Sequence, residues 1–364
     1  MAGQKGSLIW ALALWCFFIP SILAADPTLQ TLFHVKSGST TGGCTDKKLS
    51  TLATWLTESR ELAKAGVQAF DDAAKGNKDA EHALSQFLGI DSKASAEDRK
   101  DVKELVDQVA AFYANTYKVN DGPPWMFCGS SWVTQRKRTD YSEIKGGQYK
   151  HEQENCDGEL ILVPLEIQDD PAYKDYMYEE ENGKEVATSL VPYWSEDLGQ
   201  YTFEPDYKGK GYCAAAKSLA GTQVQTKPGT ILMCPSAFTN TENAATLGSR
   251  AANTNTLQQV LPRSSTFFHE TFHLVHGTAD TLDASYAIAS LLTALKTPDE
   301  VPAGTNLDEP TKTDDGLKNV DKMTNAELVR SNPETWVYLC VSYWYTLNKG
   351  YYFPDGGKGA KVTT

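Results

Sequence analysis

Two histidines and a glutamate form the most informative pattern in this 364-residue chain, His269-Glu270-Thr271-Phe272-His273. On a helix, residues four apart lie on one face, so His269 and His273 can place two imidazoles on one metal ion. Zinc accepts such ligands in tetrahedral geometry and lowers the pKa of a water ligand to about 7. Glu270, on the neighbouring edge of the helix, could take a proton from that water. The pattern therefore predicts one catalytic Zn²⁺ ion.

A five-residue pattern also arises by chance, so its surroundings decide how it is interpreted. Three of the six histidines of the chain fall within eight residues, and Gly277 then supplies a helix stop. The neighbouring residues are apolar, as a buried active-site helix requires: Phe267, Phe268, Phe272, Leu274 and Val275. This context favours a metal site over an incidental match.

The third protein ligand has three candidates, Asp280, Asp283 and Glu334. The chain must end its helix, turn at Gly277 and return a carboxylate to the metal. Asp280 lies three residues after Gly277, which leaves little room for that return, whereas Asp283 lies six residues after it and allows a turn. Asp283 is therefore favoured, and Asp280 is expected to be a turn-capping or supporting carboxylate. Tyr286 would then share a helical face with Asp283. Glu334 follows a proline, which is typical of an early-helix carboxylate stabilised by the helix dipole.

The segment from Gly277 to Tyr286 resembles the aspzincins, the deuterolysin-type and lysine-specific fungal metallopeptidases, which carry HExxH followed by GTxDxxY. Here that second pattern is split between Gly277-Thr278-Ala279-Asp280 and Asp283-Ala284-Ser285-Tyr286. The resemblance implies that Asp283 is the third zinc ligand and that Tyr286 donates to the oxyanion. It also implies a zincin-like fold of the mainly α (α+β) class, with a small sheet and an HExxH helix. It covers residues 40–350 in the order of elements, and its motifs are specific around 213–235, 264–286 and 332–340.

The chain is predicted to hold a signal peptide, residues 1–25, and a single metallopeptidase domain, residues 26–364. Within the domain, residues 121–212 look like an insertion, and residues 296–322 are Pro-, Asp- and Thr-rich and predict an exposed loop. Helical spacing predicts a first long helix, and Ser95 predicts the start of another. The first helix carries an apolar stripe of Leu49, Leu52, Leu56, Ala63, Val67 and Phe70.

A short strand is predicted before Cys234-Pro235, as in the family, where an edge strand binds the extended substrate. A purely structural strand is an equally open alternative. Six cysteines follow the signal segment, and an even number in an oxidising compartment predicts three disulfides. The resemblance implies that Cys213 bridges Cys234 and that Cys44 bridges Cys128 or Cys156.

The net charge of −13 argues against nucleic acid and anionic membranes as partners. We therefore expect a secreted monomer that acts on protein or peptide substrates as a zinc metalloendopeptidase, with Glu270 as general base. The alternative is a secreted zinc-binding or cell-surface protein that retains the fold without turnover. Digestion of casein with and without a chelator distinguishes the two.

Overall fold

The computed structural model describes residues 26–181, 183–214, 218–297, 299–302, 305–308 and 322–362. The predicted signal peptide lies outside this part of the chain. The described residues form a mixed α/β structure with eleven α-helices and several small sheets. The helices are α1 Leu29–Leu32, α2 Asp46–Ala74, α3 Lys78–Leu88, α4 Ala96–Tyr113, α5 Lys174–Met177, α6 Pro235–Thr239, α7 Leu257–Val260, α8 Ser264–His276, α9 Ile288–Ala294, α10 Asn325–Ser331 and α11 Pro333–Lys349.

The strands are short. They are β1 His34–Val35, β2 Trp125–Phe127, β3 Thr134–Gln135, β4 Glu143–Ile144, β5 Gly147–Gln148, β6 Lys150–Glu154, β7 Leu160–Pro164, β8 Tyr178–Glu181, β9 Lys184–Ala187, β10 Val191–Ser195, β11 Gln200–Glu204, β12 Ala220–Gln223, β13 Thr230–Met233, β14 Glu300–Pro302, β15 Lys322–Thr324, β16 Tyr351–Tyr352 and β17 Ala360–Lys361. Short 3-10 helices lie at Ser130–Trp132, Ile167–Asp169, Tyr212–Ala214 and Pro354–Gly356.

The long helix α2 is the centre of the main hydrophobic core and packs against α3, α4, α8 and α11. Its predicted apolar stripe is confirmed, because all six residues are buried or packed against this core. Gly66 allows the close approach of its neighbours. A Cβ atom there would lie 2.6 Å from Cys340 Sγ and 2.8 Å from Val106 Cγ2. The side-chain oxygen of Ser95 accepts from the backbone N–H of Asp98, which confirms the predicted start of α4.

The central sheet has the strand order β1-β2-β13-β12. Strands β1, β2 and β13 are parallel, and β12 pairs antiparallel with β13. The predicted strand before Cys234 is therefore β13. It pairs on both sides and all four of its residues are buried, so of the two alternatives the edge strand is excluded and the structural strand is confirmed. The edges of the sheet are β1 and β12, and β12 is the edge that lies against α8.

The helices around α2 and the central sheet are called the main body. Residues 134–210, called the hairpin region, fold beside it. Strands β11, β10 and β3 form one sheet, and β4–β5, β6–β7 and β8–β9 form three separate hairpins. A small second core, composed of Ile167, Met177, Trp194, Tyr201 and Phe203, holds the region together. The predicted insertion at 121–212 begins too early, because β2 is an interior strand of the central sheet.

The segment 296–322 is predicted as an exposed loop, but a short strand lies near each of its ends. Strand β14 pairs antiparallel with β15, so the two ends of the segment are joined by a ladder. Residues 309–321 lie outside the described residues. Among the helices that are described, none is both long and apolar enough to cross a membrane.

Two disulfides join described cysteines, Cys44 with Cys128 and Cys213 with Cys234. Both pairs agree with the pairs implied by the family resemblance. The expected third bridge is wrong, because Cys156 is free and exposed whereas Cys340 is free and buried in α11. The two thiols belong to different parts of the fold, the β6–β7 turn and the main core.

Candidate metal centre and active site

The HExxH residues lie on α8, as the sequence predicted. Eleven of the thirteen residues of this helix are buried, since α2, α4 and α11 pack on it together with strands β12 and β13. The three phenylalanines of the helix fix it in the core: Phe267, Phe268 and Phe272. Helix α8 ends at Gly277, whose φ of 86° permits the chain to leave the helix and turn back. The core thus fixes the axis of α8, and its histidines are presented toward a cleft.

Three side chains from the predicted ligand set meet at one point. His269 Nε2 and His273 Nε2 lie 3.2 Å apart. Asp283 Oδ1 lies 3.0 Å from the first of these atoms and 3.1 Å from the second. The His269, His273 and Asp283 side chains form the group that could hold a metal ion among the described residues.

The spacing of these atoms fits a small cation. With bonds of about 2.0–2.1 Å, neighbouring ligand atoms of a tetrahedral zinc ion lie about 3.3–3.4 Å apart. The three observed separations of 3.0–3.2 Å need only a small outward adjustment. Two imidazole nitrogens and one carboxylate oxygen are also a donor set that zinc accepts in catalytic sites.

The outer nitrogen of each histidine has its own partner. His269 Nδ1 lies 3.2 Å from Glu334 Oε2, and His273 Nδ1 lies 2.9 Å from Thr281 Oγ1. The Thr281 hydroxyl donates to the carbonyl oxygen of Gly277, so its oxygen accepts the Nδ1–H of His273. With a proton on each Nδ1, both rings can direct an Nε2 lone pair toward a bound metal, which is the tautomer that a metal requires.

Glu334, one of the three candidate ligands, therefore takes a different position from Asp283. It lies in the first turn of α11, as expected, but it contacts the outer face of His269. Asp280 is exposed in the turn after α8 and does not hold His273, because Thr281 occupies that position. The supporting role considered for Asp280 is thus filled by its neighbour.

Glu270 lies beside the cluster and is held by the edge strand. The Thr222 hydroxyl of β12 donates to Glu270 Oε2 over 2.7 Å, and it also lies 3.0 Å from the carbonyl oxygen of Glu270. Burial and the charge of Asp283 raise the pKa of Glu270, although the two histidines oppose this effect. A carboxylate with a raised pKa is a stronger base than an exposed one.

Burial alone would lower the pKa of His269, but the carboxylates of Asp283, Glu334 and Glu270 raise it well above its usual value. Burial would likewise raise the pKa of Asp283, yet the two histidines hold it well below its usual range. In the metal-free chain the pair is therefore ionic. A bound cation would replace the proton that His269 then carries.

Tyr286 lies at the open side of the cluster. Its ring stacks on the His269 ring with centroids 5.5 Å apart, and 55% of the residue is exposed. The Tyr338 hydroxyl donates to the carbonyl oxygen of Tyr286 and fixes its backbone. Partial burial and the carboxylates of Asp283 and Glu270 raise the pKa of Tyr286, so its phenol keeps its proton and can donate.

An open cleft of about 560 Å³ is lined by Glu270, His273, Asp283 and Tyr286. Its walls come from β12, α8 and the loop after α8, and Tyr212 and Glu204 form its far side. Sequence reasoning missed Thr222, Thr281 and Tyr212. They stand at no fixed spacing from HExxH in the chain, and hydroxyl residues are common, so the sequence held no signal that singles them out.

No family model, no curated protein sequence and no solved structure matches this chain. The interpretation of the site therefore rests on its own geometry and chemistry.

Proposed function

We propose that this protein is a secreted zinc metalloendopeptidase, with His269, His273 and Asp283 as the metal ligands. The observation that carries the proposal is the meeting of three ligand atoms within 3.2 Å of one another. A buried carboxylate, Glu270, lines the same cleft. The predicted signal peptide and the two disulfides, which are typical of oxidising compartments, support export.

Zinc, when bound, supplies a Lewis acid that polarises the scissile carbonyl and acidifies water. The chain supplies the remaining functions. Glu270 takes a proton from the attacking water while the water oxygen forms a bond to the carbonyl carbon. Tyr286 donates a hydrogen bond to the carbonyl oxygen as negative charge develops there, an interaction worth about 3–4 kcal/mol in comparable sites. Glu270 then passes its proton to the leaving nitrogen as the C–N bond breaks.

The edge strand β12 is suited to position the peptide. It pairs with β13 on one side, and Gly221, Thr222 and Gln223 line the cleft. An extended substrate can add to such an edge through main-chain hydrogen bonds. The hydroxyl of Thr222 would meanwhile keep Glu270 beside the scissile bond.

The test combines metal analysis with hydrolysis. The purified chain should contain about one zinc per molecule and should digest casein until a chelator is added. Glu270→Gln should abolish hydrolysis and retain zinc, because Glu270 is proposed as base and not as ligand. Loss of zinc in this variant would refute that role. A zinc-loaded wild-type chain that leaves casein and a mixed peptide library intact would instead favour the zinc-binding protein without turnover.

A further inference from the structure

A second pocket opens beside the metal cleft, between the main body and the hairpin region. It is narrow, with a volume of about 30 Å³ beside the 560 Å³ of the cleft, and it opens into the cleft through walls that the two share. Four aromatic residues line it, namely Trp132, Tyr193, Tyr207 and Tyr212. Such walls are apolar, yet the face of each ring carries negative charge that attracts cations.

The carboxylate of Glu204 also lines this pocket, at the end of β11. Gln223 donates to one of its oxygens, and the Tyr207 hydroxyl donates to the other over 3.2 Å. Burial raises the pKa of Glu204. Among the described residues, no lysine, arginine or histidine forms an ion pair with it. The pocket thus holds an oriented carboxylate that lacks a described positive partner.

The pocket is continuous with the cleft along the edge strand. Glu204, Tyr207, Tyr212, Gly221 and Gln223 line both. Gln223, which holds the Glu204 carboxylate, directly follows Thr222, which holds Glu270. A peptide that pairs with β12 therefore passes the mouth of the pocket within about one residue of the proposed base, since strand residues advance about 3.3 Å each.

We propose that the mouth of this pocket, where Glu204, Tyr207 and Tyr212 also line the cleft, binds the arginine side chain of a peptide substrate, with Glu204 as the specificity-determining residue. The proposal builds on the peptidase function of the adjoining cleft. A guanidinium is planar, stacks on aromatic faces and is more weakly hydrated than an ammonium group, so it suits aromatic walls better than lysine does. The remaining N–H groups of the guanidinium can reach a carboxylate that is held by two donors. This assigns a function to the hairpin region, which supplies Tyr193, Glu204 and Tyr207.

The test measures binding separately from turnover. The zinc-loaded full chain carrying Glu270→Gln is titrated with an alanine-based ten-residue peptide that has one central arginine. Matched peptides carry citrulline, which is isosteric and uncharged, or lysine at the same position. We expect the arginine peptide to bind about 10- to 100-fold more tightly than the citrulline peptide. Adding Glu204→Gln should remove that difference, whereas Asp206→Asn, an exposed carboxylate two residues away, should retain it.

Equal binding of the arginine and citrulline peptides would overturn the proposal, as would a preference that survives Glu204→Gln. Lysine binding as tightly as arginine would overturn the assignment of a guanidinium. If Glu204→Gln prevents folding, the comparison of the three peptides on the Glu270→Gln chain decides alone. A wild-type chain that shows the arginine preference in binding but hydrolyses nothing would refute the peptidase and not the pocket.

Discussion

The main body and the hairpin region differ in the size of their hydrophobic cores. In the main body, α2, α4, α8 and α11 share one extended core with the central sheet. The hairpin region has a five-residue core, one three-stranded sheet and three isolated two-stranded ladders. Two-stranded hairpins are at best marginally stable alone, so this region depends on the body beside it. The proposed chemistry lies in the part with the larger core, and the proposed selectivity lies where the two parts meet.

The two regions differ in how firmly they hold the side chains of their sites. The proposed ligands His269 and His273 are held on a helix whose neighbours are fully packed, so their separation is set by the core. The Glu204 pocket is formed by a strand end and by turns. Substitutions in the hairpin region should therefore change which peptide is bound, whereas substitutions in the body should change whether the site exists.

The largest effect is expected from the core of the body. Phe272, fully buried on α8, stacks on Trp336 with ring centroids 5.6 Å apart. Phe272→Ala should lower the free energy of unfolding by about 3–5 kcal/mol. Phe203→Ala, in the small core, should change the unfolding of the body by less than about 1 kcal/mol, because the hairpin region opens as a separate unit. Denaturant titration combined with hydrogen exchange measures both. Equal destabilisation of the body would show that the two regions unfold together.

The next effect concerns the ligand from the loop after α8. Asp283→Ala should weaken zinc binding more than about 100-fold, beyond the loss expected for a supporting residue. Asp280→Ala removes an exposed carboxylate of the same loop that is not part of the cluster, and it should leave the zinc affinity unchanged. Competition with a chromophoric chelator measures both variants. Loss of zinc from Asp280→Ala alone would mean that the chain folds this loop differently.

A smaller effect is expected from the carboxylate behind His269. Glu334→Gln keeps the size of the side chain but weakens its bond to Nδ1, so zinc affinity should fall about 10- to 100-fold. Glu159→Gln, an exposed carboxylate in the hairpin region, is the matched control and should have no effect. A larger loss in Glu334→Gln than in Asp283→Ala would make Glu334 the ligand.

The smallest effect is expected from chemical labelling of the two free cysteines, one in each region. Cys156 is exposed in the hairpin region, and Cys340 is buried beside Gly66 in the body. Burial also raises the pKa of Cys340, which keeps it as an unreactive thiol. In the chain without residues 1–25, a thiol reagent should modify one cysteine in the native state and two after unfolding. Mass spectrometry of the labelled peptides identifies the residue, and labelling of Cys340 in the native chain would contradict the packing described here.

Features encoded over short distances were predictable from the sequence. Apolar spacing predicted α2, and the spacing of two histidines predicted a shared face on α8. The room needed for a chain to turn after Gly277 favoured Asp283, and the structure brings Asp283, not Asp280, to the histidines. Its role as a zinc ligand stays a prediction.

Features that depend on distant pairing were not predictable. The choice between an edge strand and a structural strand for β13 stayed open because a sequence does not show which strands lie beside it, and β2 lies about a hundred residues away. Three disulfides were expected because an even count suggests complete pairing, but the fold separates Cys156 from Cys340. Glu204 attracted no attention, since a single glutamate acquires meaning only from the aromatic residues that the fold gathers around it.

The contact between Thr222 and Glu270 has a consequence for the time at which the proposed activity appears. The three ligand residues lie within fifteen positions of the chain, but Thr222 and Glu270 are 48 residues apart and His269 and Glu334 are 65 apart. Distant contacts form only after the intervening chain has closed its loop, so they come late in folding. A half-folded molecule would lack the oriented base and the strand that is proposed to bind the substrate. Hydrolytic capacity would then arise only with the finished fold, and newly made neighbouring chains would be spared.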